Sequence, residues 1–469
     1  MPGLVVVSNR GPLSFRLDHD GSPVLAGTGG GLAGTLHPML AGSGATWVAA
    51  TMNEADRLAG ERGLMAEDGL RIVTLAPDAD EYRMAYDVIS NASLWFCHHH
   101  LFDLPRRPRF DRHWREAWEA YRSLNRSFAE TVAANAEEEA IVLVQDYHLS
   151  LTGAMLAKAR PDLRTVHFSH TPFADPNVLR TLPSYAAGEL LAGLAGFGAA
   201  GFHTARWEAA FRSAYADFEL ATFAGTNRPP PTFTAPLGPD PAAIVEEAAS
   251  PGCLAAGEEL DRMVGGRKLI VRVDRVELSK NILRGFWAFE ELLETEPRWR
   301  GRVVFLALAY PSREGLAEYL AYRTEVEHTV ERINEAWGTP DWTPVLLDVA
   351  DDRNRSVAAL RRYDVLLVNP VRDGLNLVAK EGPLVNASDG VVVLSREAGA
   401  WEELAPAAVG VNPFDVTGTA EALDLGLGME ADERAARAAS LRRIVLDRTA
   451  ADWLADQLAA APAAPRLGA

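Results

Sequence analysis

Arg275 and Lys280 stand where a Val-rich run gives way to a helical pattern, in Val273-Asp274-Arg275-Val276-Glu277-Leu278-Ser279-Lys280-Asn281. Backbone dipoles at a helix start already favour an anion, so two added cations read as a diphosphate clamp. The chain has 42 arginines and only four lysines, at 158, 268, 280 and 380, and two of the four fall in candidate sites. A compact ammonium is the group to expect where such a chain keeps lysine. A second strand-to-helix turn is Asn369-Pro370-Val371-Arg372-Asp373-Gly374-Leu375-Asn376-Leu377-Val378-Ala379-Lys380-Glu381. N–H groups at Asn376, Leu377 and Val378 can take a phosphate, and Glu381, one turn in, can accept from two ribose hydroxyls. A capped helix would look the same alone; beside Arg275 and Lys280 the pattern points to a sugar nucleotide.

Polar groups also follow apolar runs in the first half of the chain. Arg10, in Ser8-Asn9-Arg10-Gly11, could bind a phosphate with two parallel hydrogen bonds, though an exposed loop arginine has the same appearance. Asp146, in Gln145-Asp146-Tyr147-His148, could orient a sugar hydroxyl or accept its proton, and His170, in Ser169-His170-Thr171-Pro172-Phe173, could donate to a sugar oxygen. Taken singly, each would also serve as a helix cap or a hydrogen-bonded loop histidine. Gly29-Gly30-Gly31-Leu32-Ala33-Gly34 formally fits the dinucleotide fingerprint, but about twenty residues with Pro12 and Pro23 separate it from the first strand, which rejects that reading. Bare glycine amides leading into Leu32–Leu40 can still approach a phosphate. Adjacent side chains in His98-His99-His100 point in different directions and no carboxylate pattern supports them, so the run reads as structural, while Asp78-Ala79-Asp80, an Asp-x-Asp that could pass for a metal motif, reads as a solvated turn.

The elements that must position these groups alternate along the chain. Short Val/Ile/Leu runs separated by helical patterns, clearest over His113–Ala134, signal an α/β protein with parallel sheets covered by helices. One strand series covers 4–8, 46–50, 71–75, 141–144, 165–168, 198–203 and 232–237; a second covers 269–273, 303–308, 344–347, 365–368, 391–394 and 408–411. Prolines at 229, 230, 231, 236, 239 and 241 mark a linker over 227–242, with the hinge near Pro239. The expected domains are 1–239, 240–445 and a helix and tail at 446–469 that packs back on the first domain. Two doubly wound domains facing each other across a cleft bind ligands at the carboxyl ends of their strands, which is where the candidate residues lie.

Composition narrows the class further. The chain is 48% hydrophobic and 23% charged, the balance of a globular protein, and its formal charge of -18 argues against nucleic acid or an anionic membrane as partner. Two cysteines make no disulfide framework and point to a reducing cytosol. Neither a secretory signal nor a membrane span is read, and a homo-oligomer is left open.

From Ser8-Asn9-Arg10 to Val411-Asn412-Pro413-Phe414-Asp415 the chain resembles glycosyltransferase family 20, the trehalose-6-phosphate synthases. Gly30-Gly31-Leu32-Ala33, Ser90-Asn91-Ala92, Asp146-Tyr147-His148-Leu149, His170-Thr171-Pro172-Phe173, Arg275 with Lys280, and Asp373 through Glu381 carry the resemblance. It implies the two-domain GT-B fold and transfer of glucose, with retention, from a nucleotide sugar to glucose 6-phosphate, with no metal or other cofactor. Position by position it implies that Arg10, Tyr86 and Arg313 hold the acceptor phosphate with Trp47 nearby, and that Asp146 binds acceptor hydroxyls. His170 and Asp373 would hold the donor glucose, and Gly30, Gly31, Arg275, Lys280 and the backbone of Leu377, Val378, Ala379 and Lys380 the diphosphate, with Glu381 on the ribose. Asp146, His170, Arg275 and Lys280 would then carry catalysis.

The sequence also departs from the family pattern. Arg-x-Asp-Tyr-x-Lys appears as Arg275-Val276-Glu277-Leu278-Ser279-Lys280, with Asn281 where glycine is usual. The expected base loop, Leu347-Asp348-Val349-Ala350-Asp351-Asp352-Arg353, is rich in carboxylates, which accept well from the N1–H and N2–H of guanine. This predicts GDP-glucose as a donor, alongside or ahead of UDP-glucose, with Asp351 at the base. Rival readings keep the donor site with glycerol 3-phosphate or a cyclitol phosphate as acceptor, make the chain a non-catalytic sugar-phosphate sensor, or make it an NAD-dependent dehydrogenase on the misplaced glycines alone.

Overall fold

The computed structural model describes residues 3–28, 32–67, 69–225, 227–313 and 315–462, in two units. Unit 1 comprises Met1–Pro236 with Ala450–Ala469, and unit 2 Leu237–Thr449. The first boundary falls just before the expected Pro239, because β10 (Thr232–Thr234) pairs in parallel with β9 (Ala199–Phe202) and so ties the proline-rich segment to unit 1. The helix Ala450–Ala460 belongs to unit 1: Trp453 packs edge-on against Phe168, and Gln457 accepts a hydrogen bond from Gln145.

Unit 1 is built on β1 (Leu4–Arg10), β4 (Ala45–Ala50), β6 (Leu70–Leu75), β7 (Ile141–Gln145), β8 (Arg164–Ser169), β9 and β10. Their order is β10-β9-β8-β7-β1-β4-β6, with the short antiparallel β5 (Ala66–Glu67) on the outer edge. The central strands β1, β4, β7, β8 and β9 are buried on both faces, as their near-continuous apolar runs require. The chain leaves β1 to one side for β4 and β6, then returns to the other side for β7 onward, so the order reverses between β1 and β7. These two strands pair directly, Val7 opposite Val144. A separate antiparallel hairpin of β2 (Leu13–Leu17) and β3 (Pro23–Thr28) lies where the sequence reading placed no strand.

Unit 2 holds β11 (Lys268–Arg275), β12 (Val303–Tyr310), β13 (Val345–Asp348), β14 (Val365–Val368), β15 (Val391–Ser395) and β16 (Val409–Val411). All pair in parallel in the order β13-β12-β11-β14-β15-β16. This is the doubly wound order of dinucleotide-binding sheets, reversing between β11 and β14, where the helices on either side diverge and leave a crevice at the strand ends. Leu269–Val271, Phe305, Leu366 and Val393 are among its buried core.

Candidate active site

In unit 1 the reversal point puts Arg10, at the end of β1, beside the residues after β7. Arg10 is exposed and donates from Nη2 to Ser14 Oγ at 2.8 Å. Asp146 has φ +71° and ψ 170°, a conformation almost reserved for glycine. Four contacts hold it there. Its N–H donates to Phe168 O at 2.8 Å, its carbonyl accepts from Leu149 N–H at 3.3 Å and from His167 Nε2 at 3.1 Å, and its carboxylate accepts from the His170 N–H at 3.2 Å. Strain kept at a strand end by several bonds marks a position where side-chain direction matters.

His170 Nε2 lies 3.0 Å from Gln145 Oε1, an acceptor, which places the proton on Nε2; Nδ1 then accepts from His203 Nε2 at 3.1 Å. Gln145 in turn donates to Gln457 Oε1 at 3.0 Å, and the Trp453 ring packs on the imidazole at 5.5 Å. Burial, with His203 and His167 as neighbours, holds His170 neutral, its pKa well below the usual histidine range. Both ring nitrogens are thus engaged by protein, so a direct ring contact with a donor glucose requires one of these bonds to be exchanged.

Tyr86 lies in Met84–Leu94, a π-helix in which Ser90 Oγ donates to Ala85 O and Ser93 Oγ to Val88 O. This rare winding, frequent at functional sites, sets Tyr86 in a stack between Tyr82 (5.5 Å) and His148 (5.7 Å), while Asn91 Oδ1 accepts from the Tyr147 hydroxyl. Trp47 corrects the sequence reading: it is fully buried in β4 and its indole N–H donates to Ser8 Oγ at 2.8 Å, so it offers no face to a ligand and shapes the strand beneath. Gly30 and Gly31 lie outside the described residues. His98 and His99 are buried and hydrogen-bonded to Ala174 N–H and Trp95 O, and Asp78 caps the helix Ala79–Arg83. Among the described residues, the ligand atoms of Asp18, His19 and Asp20 lie within 4.8 Å of one another in a largely exposed turn.

In unit 2 the reversal point joins the end of β11 to the segment after β14. Lys280 Nζ lies 2.6 Å from Asp373 Oδ2, which also accepts from Asn376 Nδ2 at 3.2 Å. Burial alone would lower the Lys280 pKa, but Asp373, Asp274 and Glu277 outweigh it and raise the pKa, so the ammonium stays charged. Asn376, at φ +82°, accepts from Ala379 N–H through Oδ1. Among the described residues this leaves the Leu377 and Val378 amides at the start of Val378–Val385 for an anion, the place a phosphate was expected. Glu381 accepts from Arg353 Nη1 at 3.2 Å, and Arg353 also pairs with Glu247 at 3.0 Å. The Lys380 ammonium is 1% exposed and is held by Glu403 at 2.7 Å and Leu237 O at 2.8 Å, and its N–H donates to Leu377 O at 2.9 Å, so of the expected run Leu377–Lys380 the Ala379 and Lys380 amides are already engaged.

Two residues to which sequence reasoning gave no role, Arg272 and Glu277, organise this cluster. Arg272, fully buried in β11, binds Asp274 at 2.7 Å and donates to Lys280 O at 2.8 Å, which fixes the turn after Arg275. Glu277 Oε1 pairs with Arg275 Nη1 at 3.0 Å and accepts from Ser312 Oγ at 3.0 Å. Burial pushes its carboxyl up, but the Arg275, Arg313 and Lys280 charges bring it down to about 2. Arg313, in unit 2 as its position within the expected 240–445 domain requires, donates to Tyr319 Oη at 2.7 Å. In the expected base loop, Asp348 pairs with Arg355 at 2.9 Å and Asp352 caps the helix Arg353–Arg362, which leaves Asp351 exposed.

Glycosyltransferase family 20 matches residues 2–462. A trehalose-6-phosphate synthase of Mycolicibacterium paratuberculosis is 33% identical, covering 99% of this chain and 96% of its own length. A bifunctional trehalose-6-phosphate synthase/phosphatase of Thermoproteus tenax is 32% identical over 97% of this chain, which spans 62% of that longer protein. The structure is similar, with a TM-score of 0.84 and 30% identity over 97% of this chain and 99% of the other, to an α,α-trehalose-phosphate synthase (UDP-forming) from Burkholderia xenovorans in complex with glucose-6-phosphate. With a TM-score of 0.83 and 28% identity, over 99% of this chain and 100% of the other, it is similar to an E. coli protein bound with UDP-2-fluoro glucose. These likenesses give the fold as GT-B, and the chain belongs to glycosyltransferase family 20.

Proposed function

We propose that the chain transfers glucose, with retention, from a nucleotide-glucose to glucose 6-phosphate, giving α,α-trehalose 6-phosphate and a nucleoside diphosphate. The observation that carries this reading is the grouping in unit 2 of Arg275, Lys280, Asp373 and the Leu377 and Val378 amides around the sheet's reversal point, with Glu381 on the same helix. Negative charge grows on the diphosphate as the glycosidic bond breaks. Cations and amides already in place stabilise that charge more in the transition state than in the ground state. In this reading the electrophilic work falls to Arg275 and Lys280, with no metal or cofactor assigned, and the departing phosphate oxygen takes the acceptor's proton on the same face.

Within unit 1 we assign Asp146 to the acceptor's hydroxyls and Arg10 and Tyr86 to its phosphate; within unit 2, Arg313 keeps the phosphate role that the family resemblance implies. The choice of substrates is supported by two solved relatives, one in complex with glucose-6-phosphate and one bound with UDP-2-fluoro glucose. For the donor base, Asp351 alone of the three loop carboxylates is left to accept from guanine. The test is to mix the protein with glucose 6-phosphate and each nucleotide-glucose in turn. Released nucleoside diphosphate with a non-reducing disaccharide phosphate is the expected result; nucleotide-glucose turnover without that product, or with another phosphorylated acceptor only, overturns the assignment.

A further inference from the structure

The two arginines assigned above to different substrates approach one oxygen atom. Arg275 Nη1 lies 3.0 Å and Arg313 Nη1 3.6 Å from Glu277 Oε1. Ser312 donates its hydroxyl to the same atom at 3.0 Å. Glu277 is fully buried, and its other oxygen, Oε2, is buried with no hydrogen-bond partner among the described residues. The carboxylate is therefore turned so that one oxygen takes all three contacts. Its backbone is fixed as well: its N–H donates to Arg275 O at 2.8 Å, and its carbonyl accepts from Lys280 N–H at 3.0 Å. Arg313, at φ +50°, is also held by the Tyr319 hydroxyl.

We propose that Glu277 is a positioning residue that sets the distance between Arg275 and Arg313 and thereby couples binding of the donor diphosphate to binding of the acceptor phosphate. The inference rests on the substrate roles given to those two arginines. Like charges this close repel, and the carboxylate between them lets them converge. A purely electrostatic view predicts the opposite effect on removal. Arg272, Arg275, Lys280 and Arg313 face Asp274, Glu277 and Asp373, so removing the Glu277 charge makes the cluster more positive and would tighten anion binding. If Glu277 positions, its loss weakens both substrates together. The sign separates the two accounts.

The experiment is steady-state kinetics with UDP-glucose and glucose 6-phosphate, each varied in turn, beside thermal melts of every variant. Arg275→Ala raising KM chiefly for the nucleotide-glucose and Arg313→Ala chiefly for glucose 6-phosphate upholds the substrate roles; effects not sorted in this way overturn that reading, independently of Glu277. Glu277→Gln is expected to raise both KM values by ~10-fold or more, while Glu277→Asp, which keeps the charge, recovers part of the loss. Either KM falling or staying unchanged in Glu277→Gln overturns the proposal. Should Glu277→Gln fail to fold, Ser312→Ala, which removes one hydroxyl from the carboxylate, takes its place: a joint rise of roughly 2- to 5-fold in both KM values supports positioning, and no change overturns it.

Discussion

Lys280 Nζ and Asp373 Oδ2, 2.6 Å apart, join the residue assigned to the donor diphosphate to the residue assigned to the donor sugar. The pair is largely shielded, with side chains 14% and 15% exposed, so its charges act in a medium less screening than water. Lys280→Met leaves the Asp373 carboxylate without its cation and removes charge stabilisation where the leaving group departs. We expect kcat/KM to fall by ~10²–10³-fold. Lys280→Arg should recover little, because a planar guanidinium cannot occupy the place of a compact ammonium. Turnover of Lys280→Met near that of the unaltered protein, measured as released nucleoside diphosphate, would remove Lys280 from the mechanism.

Asp146 offers a test that separates backbone from side chain. Its φ of +71° with ψ of 170° costs a non-glycine residue about 1–3 kcal/mol. Asp146→Gly and Asp146→Ala both delete the carboxylate and should both lose turnover. The glycine variant escapes the strain, so it should be more stable than the alanine variant by about 1 kcal/mol or more in denaturant melts. Equal stabilities would show that the strand end relaxes when the carboxylate is lost.

The sequence made the α/β alternation readable because strands buried on both faces must be continuously apolar, as in Val303–Leu308. It made Arg10, Asp146, Arg275 and Asp373 readable because they lie at or just beyond the carboxyl ends of such strands. It could not show that β1 lies beside β7, or β11 beside β14, since pairing of distant strands leaves no local mark. Nor did it expose Arg272, whose acceptors are the carbonyls of a turn and a carboxylate two residues on. Asn281, a departure from the family's glycine, is explained by geometry: at φ +59° it takes the left-handed conformation that asparagine tolerates. Its amide also donates to Asn369 O and Pro413 O, which glycine could not do. The π-helix under Tyr86 carries no pattern distinct from an α-helix.

His167 ties the site to pH. It is fully buried, donates from Nε2 to the Asp146 carbonyl, and burial lowers its pKa to about 4. The folded state therefore holds it neutral, while the unfolded chain protonates it below about 6.5. Between these values the unfolded state binds more protons, so stability rises with pH and is lost as pH falls from about 6.5 toward 4, by about 3 kcal/mol at full effect. His170, also held neutral by burial, adds a limb of the same sign. His167→Gln keeps an N–H donor without titrating, so its stability in denaturant melts should fall less steeply over this range. An unchanged acid limb would assign the loss to other groups.

The donor base is the last point the loop geometry bears on. Asp348 is engaged by Arg355 and Asp352 caps a helix, so neither can turn to a base without cost, and Asp351 is exposed beside them. A carboxylate can accept from both N1–H and N2–H of guanine, whereas uracil offers a single N–H. Removing such an acceptor leaves those guanine donors unmatched and costs about 1–3 kcal/mol, whereas a uracil held elsewhere loses almost nothing. Asp351→Ala should therefore lower kcat/KM for GDP-glucose by ~10-fold or more and leave UDP-glucose within about 2-fold. Parallel initial rates with the two donors decide the matter. Equal losses for both would show that Asp351 supports the loop and does not read the base, and a large UDP-glucose preference in the unaltered protein would end the guanine assignment.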